Sequence, residues 1–261
     1  AVLEGGVGYI ILNQFTKDAA KELKEAFLEM KSQNELKGLI IDLRGNGGGL
    51  LNEAVDIVNI FVPKNKLVVY TKGKTPEQNR NYYTKHEADD TEIPLAILVN
   101  ESSASASEIV SGSIQDFDRG VIVGQRTFGK GLVQRQIPLG DGSAVRITVA
   151  RYHTPSGRVL QRPYENGHKE DYYQAHVNRL QGLGADSLAT DTLSLPEYKT
   201  LLSGRKVYGG GGIRPDFYVE SDTTEISDYA VQIISQGVYS DFVMTYLDAN
   251  REKLKSQYPT F

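Results

Sequence analysis

The chain has 261 residues, of which 39% are hydrophobic and 24% charged, so it can build one large core or two small ones. It contains no cysteine, which excludes thiol catalysis, disulfide bonds and cysteine-ligated zinc. Its formal net charge of −4, with no lysine or arginine cluster along the sequence, argues against a nucleic-acid partner.

The first half of the chain alternates strand-like and helix-like patterns. Residues 8–15 predict a strand, and Thr16 predicts the N-cap of the amphipathic helix that follows. The next predicted elements are strand 38–44, helix 51–62, strand 66–71, strand 94–100, a helix ending near Asp118, strand 120–125, and a hairpin of LVQRQIPL and SAVRITVARYHT around GDG. The polar stretch 72–92 exceeds usual loop lengths, so we expect a hairpin or an exposed functional loop there.

The second half of the chain differs from the first in composition and in hydrophobic periodicity. Residues 162–205 are polar and aromatic with little apolar periodicity, which predicts an insertion into the main domain. Residues 225–257 predict a helical tail, and its expected buried face consists of Tyr229, Ile233, Val238, Phe242 and Tyr246. We therefore expect a layered α/β core over residues 1–220 with a substantially parallel sheet, and a helical extension over 221–261 packed on it.

Three glycine-rich or serine-rich segments follow predicted strands: GNGGG, SSASAS and TFGKG. Ligands of open α/β sheets bind beyond the carboxyl ends of the strands, so the shared position of these segments indicates a functional site. GNGGG matches neither common nucleotide-binding motif. It is either a tight strand-to-helix turn or a pocket of backbone amides for a transient oxyanion.

The serine stretch has two interpretations. Ser105 and Glu108 fit a capping box, in which the Ser105 hydroxyl is used on the backbone. Alternatively Ser102 or Ser103 caps the helix and Ser105 lies in the first turn, beside the unpaired amide of Ala106. A serine with a free amide beside it, at the positive end of a helix dipole, is suited to nucleophilic catalysis.

A nucleophilic serine needs a base. None of the four histidines, His86, His153, His168 and His176, falls on a loop at a strand end. Lys130, in FGKG, does, and a lysine becomes a base where a water-poor setting favours its neutral amine. The alternative is a solvent-exposed lysine in a turn.

Five segments together resemble the carboxyl-terminal processing (tail-specific) serine proteases. They are IDLRGNGGG, VNESSASASEIVSGSIQD, RGVIVGQRTFGKGLVQ, YHTPSGR and GGIRPD, and their order and spacing agree across residues 8–220. The resemblance implies a crotonase-like layered α/β core with a mostly parallel sheet, a β-hairpin region and a helical C-terminal tail.

The resemblance also implies roles for individual residues. The nucleophile falls on Ser105, its lysine base on Lys130, and the glutamine that orients the lysine on Gln134. If residues 130–134 are extended, the long side chains of Lys130 and Gln134 point to the same face, and their Cα atoms lie ~13 Å apart. The implied oxyanion donors are the backbone amides of Gly49 and Ala106.

Two acidic residues lie close to Ser105 in the sequence. Glu108 is one helical turn away, and capping is its simpler role. Asp116 lies ~16 Å along the helix axis, too far to touch Ser105, which favours a supporting or structural role.

The function that the resemblance implies is a serine endopeptidase with a Ser-Lys mechanism, acting near the apolar C-termini of unstructured protein or peptide substrates. The resemblance implies no metal and no cofactor. It implies export to a bacterial periplasm or envelope, although this chain shows no signal peptide. A homo-oligomer is possible under this resemblance. Family members usually carry a PDZ domain before the first strand, and nothing here resembles one, so we expect a core from a longer protein. The alternatives are a non-catalytic ligand-binding or peptide-binding module on the same fold and acyl-CoA chemistry of the crotonase type.

Overall fold

The computed structural model describes residues 1–162, 195–220 and 227–258. Contacts within the chain divide it into two compact units, Ala1–Val219 and Glu220–Phe261. Most of the expected insertion lies outside the described residues, and the expected domain boundaries stay a prediction.

The described part of the first unit contains three helices and twelve strands. They are, in chain order, β1 (Val2–Leu3), β2 (Val7–Ile11), α1 (Ala19–Gln33), β3 (Gly38–Asp42), α2 (Leu51–Phe61), β4 (Leu67–Gly73), β5 (Arg80–Tyr83), β6 (Leu95–Val99), α3 (Ala106–Asp116), β7 (Val121–Gly124), β8 (Leu132–Pro138), β9 (Ala144–His153), β10 (Glu197–Lys199), β11 (Lys206–Tyr208) and β12 (Phe217–Tyr218).

Six strands form the central sheet, in the order β1-β2-β3-β6-β7-β12. Every neighbouring pair is parallel except β1 and β2, which are antiparallel. A second, antiparallel sheet has the order β5-β4-β9-β8, and β10 pairs with β11. The expectation of a layered α/β fold with a mostly parallel sheet and a hairpin region is confirmed.

Helix α3 is buried along its whole length, which is unusual for a helix that contains three serines. Each serine hydroxyl is satisfied by a backbone carbonyl: Ser107 donates to Asn46, Ser111 to Ser107 and Ser113 to Val68. The buried helix packs against α2 and β7 and therefore forms a rigid platform, with its N-terminus at the carboxyl end of β6.

Local details contradict one expectation and confirm another. Helix α1 begins at Ala19 after Asp18, whose φ of 71° places the left-handed turn two residues later than Thr16, so the predicted Thr16 cap is wrong. In the polar stretch 72–92 the predicted hairpin is confirmed, because β4 and β5 pair around a 3₁₀ turn at Pro76–Gln78.

The described part of the second unit, residues 227–258, contains two helices, α4 (Asp228–Ser235) and α5 (Val238–Gln257), joined at Gly237 with φ 73°. The tail is helical as expected, and the two helices by themselves leave Tyr229 71% exposed and Phe242 65% exposed. Burial of the predicted face against the core stays a prediction. Within the described residues, no helix has both the length and the apolar composition that a membrane span needs.

The end of α3 is tied to the β10–β11 hairpin by Asp118. Its carboxylate accepts hydrogen bonds from the Ser203 amide at 2.9 Å and the Ser203 hydroxyl at 2.8 Å, and it pairs with Arg205 Nε at 2.8 Å. Burial alone would raise the pKa of Asp118, but the Ser203 and Arg205 hydrogen bonds outweigh burial and lower the pKa to about 2.

This lowered pKa predicts how stability depends on pH. Because the folded-state pKa lies below the ordinary value, Asp118 stabilises the fold above pH 3.8, and the contribution disappears as the pH falls towards about 2. The free energy of unfolding of Asp118→Asn should therefore fall below that of wild type at neutral pH and converge with it in acid, measured by urea denaturation. Asp56→Asn, on α2, is the control; a pH-independent deficit for Asp118→Asn would contradict the prediction.

Candidate active site

Ser105 occupies a strained turn between β6 and α3. Its φ of 57° and ψ of −109° are rare for a residue with a side chain and cost on the order of 1–3 kcal/mol. The residue is half-buried and is the N-cap of α3, so the expectation that Ser102 or Ser103 would start the helix is wrong. Ser103 instead donates its hydroxyl to the Leu43 carbonyl at 2.8 Å, inside the loop. A sharp strand-to-helix turn of this kind exposes a serine hydroxyl at the sheet edge.

Glu108 holds this turn from inside the protein. Ser105 and Glu108 form a capping box, in which Glu108 Oε2 accepts the Ser105 backbone N–H at 2.9 Å. The Glu108 amide faces the Ser105 hydroxyl in this box without forming a regular hydrogen bond with it, and donates at 2.9 Å to the Ser105 carbonyl oxygen. The cap interpretation and the nucleophile interpretation of Ser105 are thus compatible.

The same carboxylate also binds the loop between β7 and β8. Glu108 Oε1 accepts the Thr127 hydroxyl at 2.6 Å and the Gly129 amide at 2.7 Å, and Oε2 accepts the Lys130 amide at 2.8 Å. Glu108 is completely buried, which raises the pKa of its carboxyl, while the four hydrogen bonds oppose that rise. One buried carboxylate therefore fixes the backbones of Ser105 and Lys130 relative to each other.

Thr127 extends this network to the GGIRPD segment. Its hydroxyl accepts the Ile213 amide at 2.7 Å, and its own amide donates to the Ile213 carbonyl at 3.0 Å. Thr127 is fully buried, and its hydroxyl is thereby oriented to donate to Glu108. Two segments that are far apart in the sequence thus meet at one carboxylate.

The GNGGG loop lies against the serine turn through Asn46, which is fully buried. Its side chain donates to the Leu12 carbonyl at 2.6 Å and accepts the Gly48 amide at 2.8 Å. Its carbonyl oxygen accepts the Ala104 amide at 3.0 Å and the Ser107 hydroxyl at 2.9 Å. Asn46 therefore fixes the glycine loop and the serine turn to each other.

Gly48 marks the closest approach of these two segments. Its φ is 100°, and a Cβ atom at this position would lie 2.8 Å from Ser105 Cβ and 3.0 Å from the Ala106 nitrogen. Only glycine fits here, for steric and for conformational reasons.

Two backbone amides beside Ser105 have no partner among the described residues. The Ala106 amide, at the first position of α3, donates no hydrogen bond there, and neither does the Gly49 amide. Gly49 has φ 149°, and its neighbours Gly48 and Leu50 pair with Phe15, which leaves the Gly49 amide directed away from Phe15. Such unpaired donors at a helix N-terminus can stabilise a negatively charged oxygen.

The Lys130 amine is not hydrogen-bonded to Ser105, although the backbone amides of both residues donate to Glu108. The Lys130 side chain is exposed, and its Nζ forms no hydrogen bond or ion pair with any described residue, Ser105 included. Gln134 is exposed on β8. The described residues do not provide the dry setting expected for Lys130, and its pairing with Gln134 stays a prediction.

Asp116 lies at the far end of α3 and is fully buried. It pairs with Arg158 of the YHTPSGR segment at 2.5 Å and accepts the Ser156 amide at 2.9 Å. Arg158 is itself 1% exposed and also donates to Gln115 Oε1 at 2.9 Å. Asp116 therefore joins the helix to the hairpin end, in keeping with a structural role.

Sequence reasoning did not single out Asn46 or Thr127. Both lie inside segments chosen for other residues, GNGGG and TFGKG. A polar residue among glycines and a threonine before an aromatic residue are the only local signals, and neither distinguishes a buried bridging side chain from a turn residue.

The Glu108 network predicts the effect of one isosteric change. Glu108→Gln keeps the shape but directs an NH₂ group at donors, so two buried N–H or O–H groups lose their acceptor at about 1–3 kcal/mol each. We expect covalent labelling of Ser105 by a fluorophosphonate to slow by about 100-fold. Glu53→Gln is the control, because Glu53 accepts a single backbone amide, from Ala20, away from this site. Equal labelling rates for both variants would contradict a positioning role for Glu108.

The glycine loop gives a second prediction. Gly48→Ala would force its methyl group into Ser105, so the serine turn must shift and labelling should fall at least tenfold. Gly47→Ala is the matched control, since a Cβ there meets nothing within 4 Å. Unchanged labelling of Gly48→Ala, with an unchanged melting temperature, would show that the close approach is not needed.

Known proteins with similar sequences are carboxyl-terminal processing proteases. The chain is 41% identical over 162 residues to a carboxy-terminal-processing protease of Bartonella bacilliformis, a match that covers 61% of this chain and 37% of the relative. It is 43% identical over 156 residues to a carboxyl-terminal-processing protease of Synechocystis, which covers 60% of this chain and 36% of the relative. The matched part is about a third of the length of these relatives.

Solved structures show the same fold. The photosystem II D1 C-terminal processing protease superposes with a TM-score of 0.55 at 37% identity, covering 62% of this chain and 42% of that one. An S41 protease of Bacteroides fragilis superposes with a TM-score of 0.56 at 15% identity over 91% of this chain and 56% of that one, which supports the fold alone. The sequence profile of peptidase family S41 matches residues 6–173. The chain therefore belongs to peptidase family S41.

Proposed function

We propose that the chain carries the catalytic core of a serine endopeptidase that uses a Ser-Lys mechanism. The observation that carries the proposal is the Glu108 carboxylate, which binds the backbone amides of both Ser105 and Lys130. Membership of a family of carboxyl-terminal processing proteases supports the reaction class.

In the proposed reaction, the neutral amine of Lys130 takes the proton from Ser105 Oγ, and Oγ attacks the carbonyl carbon of the scissile peptide. The resulting oxyanion accepts hydrogen bonds from the Gly49 and Ala106 amides. The Lys130 ammonium then gives its proton to the departing amine, which leaves an acyl-enzyme on Ser105. Water activated by Lys130 hydrolyses the ester and regenerates the serine.

The exposed Lys130 side chain must fold back for this chemistry. Its backbone is already fixed two residues before β8, so rotation about side-chain bonds alone can bring Nζ towards Ser105. A bound substrate would exclude water from the lysine and favour its neutral form. Gln134, on the following strand, is proposed to accept a hydrogen bond from Nζ and to orient it.

We further propose that substrates are polypeptides cut near their C-terminus, as the names of the relatives suggest. That these substrates are unstructured, with an apolar, uncharged C-terminus, rests only on the family resemblance of the sequence motifs. An exported, periplasmic or envelope location and a homo-oligomeric state are carried only by the resemblance and stay predictions.

A second candidate function is a non-catalytic peptide-binding module on the same fold. The observation that favours it is the separation of the Lys130 amine from any described hydrogen-bond partner. The two candidates differ in whether Ser105 reacts.

The test is hydrolysis of a peptide with an apolar C-terminus by the full-length protein. Ser105→Ala and Lys130→Ala should each lower kcat/KM by at least about 1,000-fold, because each removes one partner of a cooperating pair. Lys64→Ala, at another exposed lysine, is the control and should match wild type. Wild-type protein that neither cleaves the peptide nor reacts with a fluorophosphonate would favour the binding module instead.

A further inference from the structure

The antiparallel sheet carries an unusual charge distribution for an acidic protein. Strands β4, β5, β8 and β9 contain five basic residues and no aspartate or glutamate, in a chain whose net charge is −4. The basic residues are Lys72, Arg80, Arg135, Arg146 and Arg151. They are scattered along the sequence, and only strand pairing brings them together.

Three of these residues share one face of the sheet. Lys72 lies directly opposite Arg151 across the β4–β9 ladder, and Arg151 lies opposite Leu132 across the β8–β9 ladder. Two and four residues further along β8, Gln134 is opposite Thr148 and Gln136 is opposite Arg146. Because side chains alternate along a strand, Lys72, Arg151 and Arg146 point to the same side, here called the basic face.

A β-bulge creates this arrangement. Arg146 and Arg151 are five residues apart and would lie on opposite faces of a regular strand. The register of the β8–β9 ladder shifts at Val133 and Gln134, so β9 contributes one extra residue, Val149, and both arginines emerge on one side. Arg135, by contrast, pairs with Ile147 on the other face of the same hairpin.

The charge of the basic face is uncompensated in the described part of the chain. Lys72, Arg146 and Arg151 are exposed, and none forms an ion pair with a described residue. Like charges directly opposite each other, as in Lys72 and Arg151, oppose strand pairing. The pKa of neighbouring His153 is lowered, first by burial and then by the positive charges of Lys72 and Arg151. An acidic ligand would relieve this repulsion.

The adjoining strand edge offers a second means of recognition. Strand β8 is the outer strand of its sheet, and its backbone groups bond to no described residue outside β9 and its own hairpin turn. An extended polypeptide can add to such an edge through main-chain hydrogen bonds. Strand β8 begins two residues after Lys130. Gln134 lies on β8 midway between the residue opposite Arg151 and the residue opposite Arg146.

We propose that the basic face and the free edge of β8 bind an extended, acidic segment of a polypeptide substrate. The unpaired backbone favours a polypeptide over a nucleic acid, because only a polypeptide can continue the sheet. The β8 residues opposite Arg151 and Arg146 are four positions apart. A segment paired with β8 should therefore carry acidic side chains at positions i and i+4. The proposal rests on the proposed protease function, since it places this segment beside the candidate nucleophile.

Binding to the full-length Ser105→Ala protein tests the proposal without hydrolysis. Three fluorescent peptides with one apolar C-terminus are compared by anisotropy: glutamates at i and i+4, glutamates at i and i+3, and lysines at i and i+4. The first should bind roughly tenfold more tightly than the third, and more tightly than the second, whose glutamates point to opposite faces. The preference should weaken in high salt.

Variants locate the site. Arg146→Glu combined with Arg151→Glu should abolish or reverse the preference for glutamate, whereas Arg135→Glu, on the opposite face, should leave it within about twofold. Equal affinities for the three peptides, an equal effect of Arg135→Glu, or tighter binding of a single-stranded oligonucleotide would overturn the proposal.

The outcomes separate this proposal from the proposed function. If wild-type protein cleaves peptides in a Ser105-dependent manner but shows no preference for acidic segments, the basic face has another role and the protease function stands. If the glutamate peptide binds through Arg146 and Arg151 yet Ser105 never reacts, the binding surface stands and the protease function fails.

Discussion

The candidate site depends on one buried carboxylate. Glu108 accepts four hydrogen bonds, and three of them come from backbone amides, at Ser105, Gly129 and Lys130. Burying a carboxylate is costly, and complete satisfaction of its oxygens is what makes the position tolerable. In return the serine turn and the lysine loop, which belong to different strand–loop units, acquire a fixed separation. The strained backbone of Ser105 is maintained by the same contact.

A second buried polar residue performs the equivalent task on the other side of the serine. Asn46 ties the glycine loop to the serine turn, and Gly48 allows the two backbones to touch. The result is a pair of amides, at Gly49 and Ala106, that have no partner in the described part of the chain and lie on two segments held in contact. Preorganised donors of this kind cost nothing to reorganise when charge develops, which is why they suit an oxyanion. The two amides are in place in the structure, whereas the exposed Lys130 side chain would have to turn towards Ser105 for the proposed reaction.

The antiparallel sheet adds a surface to this site. One extra residue in β9 places Arg146 and Arg151 on the same face as Lys72, and the free edge of β8 starts beside the lysine loop. The sequence shows neither the shared face nor the edge, because both follow from strand register. A basic surface in an acidic chain is therefore a property of the fold, and it supports the proposal of an acidic substrate segment beside the candidate site.

The sequence alone determined the order of strands and helices, the family, and the positions where chemistry was expected. Periodicity suffices for elements such as β3 and α2, because buried strands and amphipathic helices carry their own pattern. The resemblance to carboxyl-terminal processing proteases, and not periodicity, pointed to Ser105, Lys130 and the amides of Gly49 and Ala106. Two details were wrong: the Thr16 cap and the start of α3.

Only the tertiary structure decided how those residues are held. The sequence presented capping and nucleophilic roles for Ser105 as alternatives, yet Glu108 satisfies the backbone of the turn and leaves the hydroxyl without a regular capping bond. The bridging roles of Asn46 and Thr127 depend on segments that are distant in the chain, and local patterns do not encode such distances. The physical reason is the same in each case: a motif specifies which groups are present, whereas burial and strand register determine which of them meet.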